Sequence, residues 1–482
     1  MLLPCTALRA AASTRTNLMK GEGSKWLSSP FAEKIYWGDV HMPELELNPQ
    51  KIYKMPTPII VESVDSYYLV IARETANWIL LRNKRQLEIF NTLSSGKSVL
   101  DLFNLFSTEV YEDIYAVLVE LEAKQFENTV TQHPQEHGMY MYLTNRCNQT
   151  CRHCYMYAGK ANASELSTEE IHDVLKSFSK SGGKVVTFTG GEATLHPGFV
   201  SIVSAAKKMG LKVGVLSNGL LWTQNLIDDV KNSIDEVQIS IDGFDADSYK
   251  QVRGVDTFEL ALSSVDRLIN AGIRVSVAVT PLVETLIEHE SKYIAFAKGL
   301  LEKYSEKEFF VKFNTELMEG RNVSPTEEEN KKYRKVANRI KTECSPFSSE
   351  EGFALDHVNN TVFNNCGYGG LSIASNGDVY FCNLILQCSR QGNVRTDSFE
   401  SILSKSSKAR SLSDVNNLIP CKDCALKYLC GGGCRVKNFK NLVEIKINEQ
   451  ENGHFVREVP CTKEQKEKIY RLMIASNHLF YR

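Results

Sequence analysis

The sequence lacks both a long apolar run and an excess of charge of one sign. Its 482 residues include 56 Lys and Arg against 58 Asp and Glu, a formal net charge of −2. A membrane helix needs roughly 18 consecutive apolar residues, and no stretch of the chain approaches that length. A nearly balanced charge gives no electrostatic reason to bind nucleic acid or an anionic membrane. We therefore expect neither partner.

Internal repeats, low-complexity segments and a clear secretion signal are also lacking. The first twenty residues faintly resemble a signal peptide, but Pro4, Thr6 and Arg9 interrupt the apolar stretch that such a signal requires. We interpret residues 1–54 as an N-terminal tail and expect a cytoplasmic protein.

Cysteine is not abundant, but its distribution is uneven. Of the 13 cysteines, three lie at positions 147, 151 and 154, and most of the others lie between 366 and 461. An odd number in a chain without a secretion signal argues against a disulfide framework. The sequence therefore predicts thiolate metal ligands in a reducing compartment.

The region after the tail predicts a small α+β unit. Residues 58–82 contain three short runs rich in β-branched and aromatic residues, which indicate strands. Apolar residues at helical spacing follow over 84–126. Three strands followed by three helices predict a winged-helix-like domain over 55–130.

Residues 139–316 alternate between buried-strand and amphipathic-helix patterns six times. Such repeats predict an α/β fold with a parallel sheet, here a partial (β/α)6 TIM-like barrel over 135–342 that ends in a polar helix at about 325–342. The remaining residues, 343–482, predict a loop-rich, cysteine-rich domain.

The first cysteine group, Cys147, Cys151 and Cys154, follows the first barrel strand with the spacing C-x3-C-x2-C. Three thiolates can bind three irons of a [4Fe–4S] cluster and leave the fourth iron without a protein ligand. Ligand sites in parallel α/β barrels lie at this end of the strands. A zinc site is the alternative, but zinc needs a fourth ligand, and the nearest, His153, lies between two cysteines.

The segment TNRCNQTCRHCY resembles the signature of the radical S-adenosylmethionine (SAM) superfamily. The resemblance implies that the open iron binds the amino and carboxylate groups of SAM and that one electron cleaves SAM to a 5′-deoxyadenosyl radical. The three cysteines are then catalytic as well as metal ligands.

Further family-like segments occur in order at the ends of later strands. Thr189–Glu192 is similar to the family's GGE motif, in which the glutamate binds the SAM amino group, and VRG contains an arginine that reaches the SAM carboxylate or ribose. The histidine between the cysteines stands where an aromatic residue often lies near adenine. The resemblance implies cofactor-binding roles for His153, Gly190, Gly191, Glu192, Ser217, Asn218, Ser240, Asp242 and Arg253.

The second cysteine group is similar to the SPASM extension of radical SAM peptide-modifying enzymes, which holds two auxiliary iron–sulfur clusters. Its core is C-x2-C-x5-C-x3-C over residues 421–434. The resemblance implies that an outer cluster is bound by Cys421, Cys424, Cys430 and Cys461, and an inner cluster by Cys366, Cys382 and Cys434. Zinc ribbons are the alternative for this region.

The inner ligand set departs from the family pattern. Some members supply a fourth ligand shortly after the first cysteine, where this chain has Ser372. Either the inner cluster keeps an open iron that binds a substrate thiolate, or Cys388 or Cys344 closes it.

These resemblances imply a peptide maturase. The N-terminal unit is similar in topology to precursor-recognition domains, in which a leader peptide adds a strand to a sheet edge; a packing or dimerisation role is the alternative. We expect thioether or carbon–carbon crosslinking of a ribosomally made precursor peptide, with electrons from a donor such as flavodoxin or ferredoxin.

Three other functions stay open. Oxidation of a sulfatase residue uses an acidic base after the second inner cysteine in many enzymes, whereas this chain has Asn383 there. A peptide epimerase is a second alternative. A redox sensor or scaffold is the third, although such a protein needs no SAM pocket.

Overall fold

The computed structural model describes residues 48–128, 137–344, 366–447 and 453–481, and the backbone of two-residue strands at 36–37, 40–41, 131–132 and 361–362. Most of the tail expected over 1–54, with Cys5, lies outside the described residues. Strands 36–37 and 40–41 pair antiparallel, and 131–132 pairs parallel with 361–362.

An antiparallel three-stranded sheet with three helices forms the N-terminal unit. Its order is β1-β2-β3, and Asn83 and Ser98 cap the first two helices. The predicted strands and helices are confirmed. The elements are β1 Ile59–Val64, β2 Tyr67–Ala72, β3 Asn77–Leu81, α1 Lys84–Ser94, α2 Val99–Leu105 and α3 Tyr111–Ala123.

Six parallel strands then form the main sheet in the order β9-β8-β7-β6-β5-β4. Many of their side chains are buried in the main core together with apolar residues of the flanking helices, as is typical of a parallel sheet covered by crossover helices. The predicted α/β fold is confirmed. The strands are β4 Gly138–Tyr142, β5 Val185–Thr189, β6 Lys212–Ser217, β7 Glu236–Ser240, β8 Arg274–Val279 and β9 Phe309–Phe313.

The helices of this region follow the strands in turn. Each of the long amphipathic ones buries its apolar stripe on the sheet. They are α4 Thr168–Lys180, α5 Phe199–Lys208, α6 Gln224–Val230, α7 Ala246–Arg253, α8 Phe258–Asn270, α9 Val283–Glu288, α10 Glu290–Lys303 and the polar α11 Glu327–Cys344.

The cysteine-rich region extends the same sheet. Its first strand, β10 Leu371–Ile373, pairs parallel with β4, so that Ser372 lies opposite Tyr140. Strands β11 Asp378–Tyr380 and β12 Gly392–Asn393 continue antiparallel and bring the sheet to nine strands. The sequence did not predict this continuity.

Short elements make up the rest of the C-terminal region. Strands β13 Leu418–Ile419 and β14 Phe455–Val456 pair parallel. The helices are α12 Phe399–Leu412, α13 Lys427–Cys430, α14 Arg435–Asn438, α15 Lys440–Val443 and α16 Lys463–Ser476.

Buried residues form three apolar clusters. The largest combines the main sheet with much of the C-terminal region, and a second lies inside the N-terminal unit. The third joins the N-terminal sheet to α13 and α16. Within the described residues, every helix is too short or too polar to cross a bilayer.

Candidate iron–sulfur and SAM site

The first three cysteines lie on a loop at the carboxyl end of β4. Backbone hydrogen bonds fix the loop: Cys147 N donates to Gly159 O at 3.0 Å, and Arg152 N donates to Val252 O at 2.9 Å. The second bond ties the loop to α7. The thiols are therefore presented by an ordered backbone at the end of the sheet where barrel ligands bind.

The two glycines after β5 allow this loop to pack closely. Gly190 has φ +151°, and a Cβ at Gly191 would lie 2.2 Å from Arg146 O. Gly191 N donates to Thr144 O at 2.7 Å, and Glu192 N donates to Arg146 O at 2.8 Å. Glycine is thus required here because the cysteine loop itself fills the space that a side chain would take.

A second loop, after β9, packs on the opposite side of the cysteine loop. Asn322 N donates to Arg152 O at 2.8 Å. A Cβ at Gly320 would lie 2.6 Å from the carbonyl carbon of His153. The cysteine loop is held between two strand ends, and nothing in the short sequence around Gly320 indicated this contact.

The three thiols lie within electrostatic range of one another. Burial raises the pKa of Cys147 and Cys151, and the Arg253 guanidinium opposes that rise at Cys151. Arg253 Nη1 lies 3.7 Å from Cys151 Sγ, and Asn218 Nδ2 lies 4.0 Å from Cys147 Sγ. These donors favour the thiolate form that metal ligation needs.

Glu192 is buried at the ends of β5 and β6. Its Oε1 accepts hydrogen bonds from Ser217 Oγ at 2.8 Å and Thr194 Oγ1 at 2.6 Å, and its Oε2 accepts from Asn218 N at 2.7 Å. Ser217 Oγ also accepts from Trp222 Nε1 at 3.0 Å. The carboxylate position is therefore fixed before any ligand binds.

Asp242, which is 1% exposed, organises the other side of the site. Its Oδ2 lies 2.6 Å from Arg253 Nη2 and 2.8 Å from His153 Nε2, and its Oδ1 accepts from Thr280 N at 2.7 Å. Burial opposes ionisation of Asp242, but Arg253 and His153 outweigh it and lower its pKa. The carboxylate thus orients both the guanidinium and the imidazole.

Two atoms of this network suit a polar ligand. His153 Nδ1 and Arg253 Nε are buried and, among the described residues, have no hydrogen-bond partner. Ser240, at the half-buried end of β7, lies at the same edge of the sheet. Buried polar atoms are normally paired, so unpaired atoms beside the thiols fit a bound molecule with both donors and acceptors, as SAM has.

The outer cysteines of the C-terminal region come together. Cys421, Cys424, Cys430 and Cys461 act electrostatically on one another, although their positions span 40 residues of chain. Burial raises the pKa of Cys421 and Cys430, and Arg457 opposes this rise at Cys421. Four thiols at one place suit a cluster with complete thiolate ligation.

The inner cysteines form a separate group of four. Cys366, Cys382 and Cys434 interact, as the family resemblance implied, and Cys388 lies with them. The thiols of Cys382 and Cys388 lie within hydrogen-bonding reach of each other. Sequence reasoning named Cys388 only as one of two candidates, because its spacing matches no family motif.

Two tyrosines join the first cysteine loop to the inner group. Tyr155 directly follows Cys154, and its hydroxyl lies 3.0 Å from that of Tyr142, which donates to Asn383 O at 2.5 Å. Burial raises the pKa of Tyr155 to about 12. Sequence reasoning missed this pair, since no spacing rule relates a residue of β4 to one after Cys382.

The N-terminal unit packs on the outer cysteine group. One face of its sheet packs on its own helices. The opposite face is covered by apolar residues of α13 and α16, and Cys424 and Cys430 lie against the same cluster. Its buried members are Val64, Leu69, Ile71, Trp78, Leu80, Leu426, Leu429, Tyr470 and Met473.

In the ranges that the structure describes, no three His, Cys, Asp or Glu side chains converge as ligands of one metal ion. Such convergence is what a single metal ion would need. Each thiolate of a cubane cluster binds a different iron, so cluster ligands lie around the cube rather than around one point.

Two family profiles match the chain. Residues 141–296 match the radical SAM superfamily, and residues 365–425 match SPASM, an iron–sulfur cluster-binding domain. The first range contains the three loop cysteines and the network around Glu192 and Asp242. The second contains most of the inner group and two outer cysteines.

Curated relatives match parts of the chain. The sporulation killing factor maturation protein SkfB of Bacillus subtilis (strain 168) is 37% identical over 142 residues, 29% of this chain and 34% of that protein. The AdoMet-dependent heme synthase of Oleidesulfovibrio alaskensis is 25% identical over 355 residues, 68% of this chain and 87% of that protein. The chain thus spans only about a third of the first relative.

A solved structure shares the fold. The structure of native anSMEcpe with bound AdoMet and Cp18Cys peptide aligns with a TM-score of 0.51 at 18% identity, covering 70% of this chain and 98% of that one. The fold, the site geometry and the two profile matches agree. Residues 141–296 therefore form a radical SAM domain and residues 365–425 an SPASM domain, and the cofactors that these two domains indicate are SAM and iron–sulfur clusters.

Proposed function

We propose that the protein is a radical SAM maturase that forms a thioether or carbon–carbon crosslink in a ribosomally made precursor peptide. The observation that supports it is the presence of three separate groups of cysteines, with the N-terminal unit packed on the outer group. SkfB, which is 37% identical over 142 residues, is named as the maturation protein of the sporulation killing factor.

Different residues of the first site would bind different parts of SAM. Cys147, Cys151 and Cys154 would hold a [4Fe–4S] cluster, which when bound supplies the electron that cleaves SAM to a 5′-deoxyadenosyl radical. Glu192 would accept a hydrogen bond from the SAM ammonium, and the hydrogen bonds from Ser217 and Asn218 would hold its buried carboxylate in position. Arg253 would meet the SAM carboxylate or ribose.

Asp242 positions Arg253 and His153 for this task. The ion pair at 2.6 Å fixes the guanidinium plane, and the contact at 2.8 Å fixes the imidazole ring. His153 would then present its unpaired Nδ1 and its ring face to adenine. Because these side chains are already held in position, they would lose less conformational entropy when SAM binds.

The N-terminal unit would bind the leader peptide at the edge of β1. The β1–β2 turn has two residues, Asp65 and Ser66, and Arg73 N donates to Pro58 O at 3.3 Å. This register makes 58, 60, 62 and 64 the hydrogen-bonded positions, so the N–H and C=O of Val61 face away from β2. A peptide strand could pair there.

The edge of β3 is less suited to strand addition. Leu80 N donates to the buried Glu120 Oε2 at 3.0 Å, so a helix side chain already occupies part of that edge. Val61 on β1 is 42% exposed. The exposure of Val61 and the occupied backbone donor of Leu80 thus favour the edge of β1 over that of β3.

Closing a crosslink after hydrogen abstraction leaves one electron on the peptide. The outer and inner cysteine groups would hold auxiliary clusters that accept it, and a flavodoxin or ferredoxin would supply the electron for SAM cleavage. Because these thiols must stay reduced, we place the enzyme in the cytoplasm.

Sulfatase-type oxidation is less well supported. The position after Cys382 is Asn383, whose amide cannot accept a proton as a carboxylate does. The hydrogen bond from Tyr142 Oη goes to the backbone carbonyl of Asn383 and does not involve its side chain. The similarity to anSMEcpe extends to the fold alone.

Anaerobic reconstitution followed by reduction with SAM tests the first half of the proposal, since 5′-deoxyadenosine should form. Co-expression with a candidate precursor peptide, such as one from a short open reading frame next to the gene, followed by mass spectrometry, tests the second half. Loss of two hydrogens per crosslink is expected. An unchanged mass with inverted residues would indicate an epimerase, and no 5′-deoxyadenosine would indicate a scaffold.

A further inference from the structure

We propose that Cys388 is the fourth thiolate of the inner auxiliary cluster, which leaves that cluster without an open iron. The inference rests on the ligand set proposed above and adds a residue that the family pattern does not supply. Its basis is the arrangement of three chain segments around the inner thiols.

The thiols themselves are the first observation. Cys388 lies within hydrogen-bonding reach of Cys382 and within electrostatic range of Cys366 and Cys434. Cys366 is buried in the main core, and the other three pack against that core from its edge.

Backbone hydrogen bonds hold these segments together. Ser389 N donates to Val443 O at 3.0 Å, which fixes Cys388 beside α15, the helix that follows the segment beginning at Cys434. Gly369 N donates to Phe381 O at 2.8 Å, which joins the Cys366 segment to the Cys382 segment. The backbone next to Cys388 is therefore held in place by its hydrogen bond to α15.

Tyr368 occupies the space beside the group. Its side chain is 2% exposed, and its hydroxyl donates to Leu442 O at 3.3 Å. It lies within electrostatic range of Cys366, Cys382 and Cys388. The proximity of one buried side chain to three thiols supports their grouping at one site.

The two rival ligands are less favourable. Cys344 Sγ lies 4.0 Å from Ile294 O, at the far end of α11 against α10. Ser372 stands at the family's ligand position, and its buried Oγ has no hydrogen-bond partner among the described residues. A hydroxyl ionises far less readily than a thiol and is the poorer iron ligand.

The consequence concerns the substrate. Four thiolates saturate a cubane cluster, so a peptide thiolate could not bind iron at the inner site. The inner cluster would then accept or pass on an electron, and the protein itself would position the peptide sulfur.

The test uses the full chain, enriched in iron-57, anaerobically reconstituted and saturated with SAM so that the first cluster has no free site. Carbon-13 cyanide is the probe, read by ENDOR and Mössbauer spectroscopy. We expect no cyanide coupling at an auxiliary cluster of the wild type. Coupling there would overturn the proposal without any variant being needed.

Variants locate the ligand. Cys388→Ala should create one auxiliary iron that binds cyanide, or should lose the inner cluster with a fall in iron and sulfide of about one third. Cys344→Ala should match the wild type, and so should Ser372→Ala. Wild-type spectra from Cys388→Ala, or cyanide binding by Ser372→Ala, would contradict the proposal.

A parallel assay separates this inference from the proposed function. Cleavage of SAM to 5′-deoxyadenosine is measured for the same samples. If the wild type fails to cleave SAM but the cyanide result holds, the function is wrong and the ligand assignment stands. If cleavage occurs and the wild type binds cyanide, only the ligand assignment is wrong.

Discussion

At the scale of single residues, the first site depends on a few buried polar contacts rather than on many weak ones. Asp242 is the clearest case, because one carboxylate orients a cation and an imidazole at once. Removing one partner of a buried ion pair leaves an uncompensated charge, which is costly.

We predict that Asp242→Asn weakens SAM binding at least tenfold, about 1.4 kcal/mol. The amide keeps the shape but not the charge that holds Arg253 in place. Equilibrium dialysis of reconstituted protein with labelled SAM measures the effect, with iron content as a check on cluster assembly. Asp266→Asn makes the same chemical change in the pair with Lys303 on the outer helices and should bind SAM normally. Equal affinities of the two variants would contradict the prediction.

Gly191 offers a second prediction at this scale. A methyl group there would lie 2.2 Å from Arg146 O, and backbone cannot move aside as a flexible side chain can. Gly191→Ala should therefore distort the cysteine loop and lower iron and sulfide content by about one third, the share of one cluster in three. The control is Gly299→Ala, since no atom lies within 4 Å of a Cβ there. Full iron loading of Gly191→Ala would refute the prediction.

At the scale of elements, the β1–β2 hairpin determines how a peptide could be recognised. Its register leaves the N–H of Val61 pointing away from β2. A substitution at this position can therefore remove an outward donor without breaking a bond inside the sheet.

We predict that Val61→Pro weakens binding of the leader peptide at least tenfold while SAM cleavage continues. Proline has no N–H to donate to an added strand and tolerates an edge position. Fluorescence anisotropy with labelled leader peptide measures the loss. Val61→Thr keeps the backbone donor and should bind as the wild type does; a loss in both variants would point to side-chain contact instead.

At the scale of the whole molecule, the three units are less independent than their order along the chain suggests. The N-terminal sheet shares an apolar cluster with α13 and α16 beside two outer cysteines. Lys124 adds a polar contact to this interface, since its Nζ donates to Asn477 Oδ1 at 2.7 Å.

Lys124 makes this interface sensitive to pH. Burial lowers its pKa to about 7, which Glu120 only partly opposes, against 10.5 in the unfolded chain. Between these values the unfolded state binds more protons, so stability rises with pH, by up to about 1.4 kcal/mol per unit. We predict that the melting temperature of the wild type rises from pH 7 to pH 9 relative to that of Lys124→Met. The remaining groups are common to both proteins, so parallel pH profiles would rule the effect out.

Local patterns were sufficient to predict the strands and helices, because β-branched runs such as that of β8 and the amphipathic spacing of α8 are properties of short segments. They were insufficient for the long-range contacts. β10 has three residues and pairs with a strand more than 200 positions earlier. The place of Cys388 follows from that folding, and no spacing of cysteines in the sequence encodes it.

The pairing of β10 with β4 has a mechanical consequence. The strand that leads into the SAM loop and the strand that leads toward the inner thiols are hydrogen-bonded neighbours in one sheet. The hydrogen bonds between these two strands thus set the distance between the backbone of the first cysteine loop and that of the inner cysteine group. Under the proposed function, a peptide that reacts at the first site and passes an electron to the inner cluster would therefore have to adapt its own conformation to this spacing.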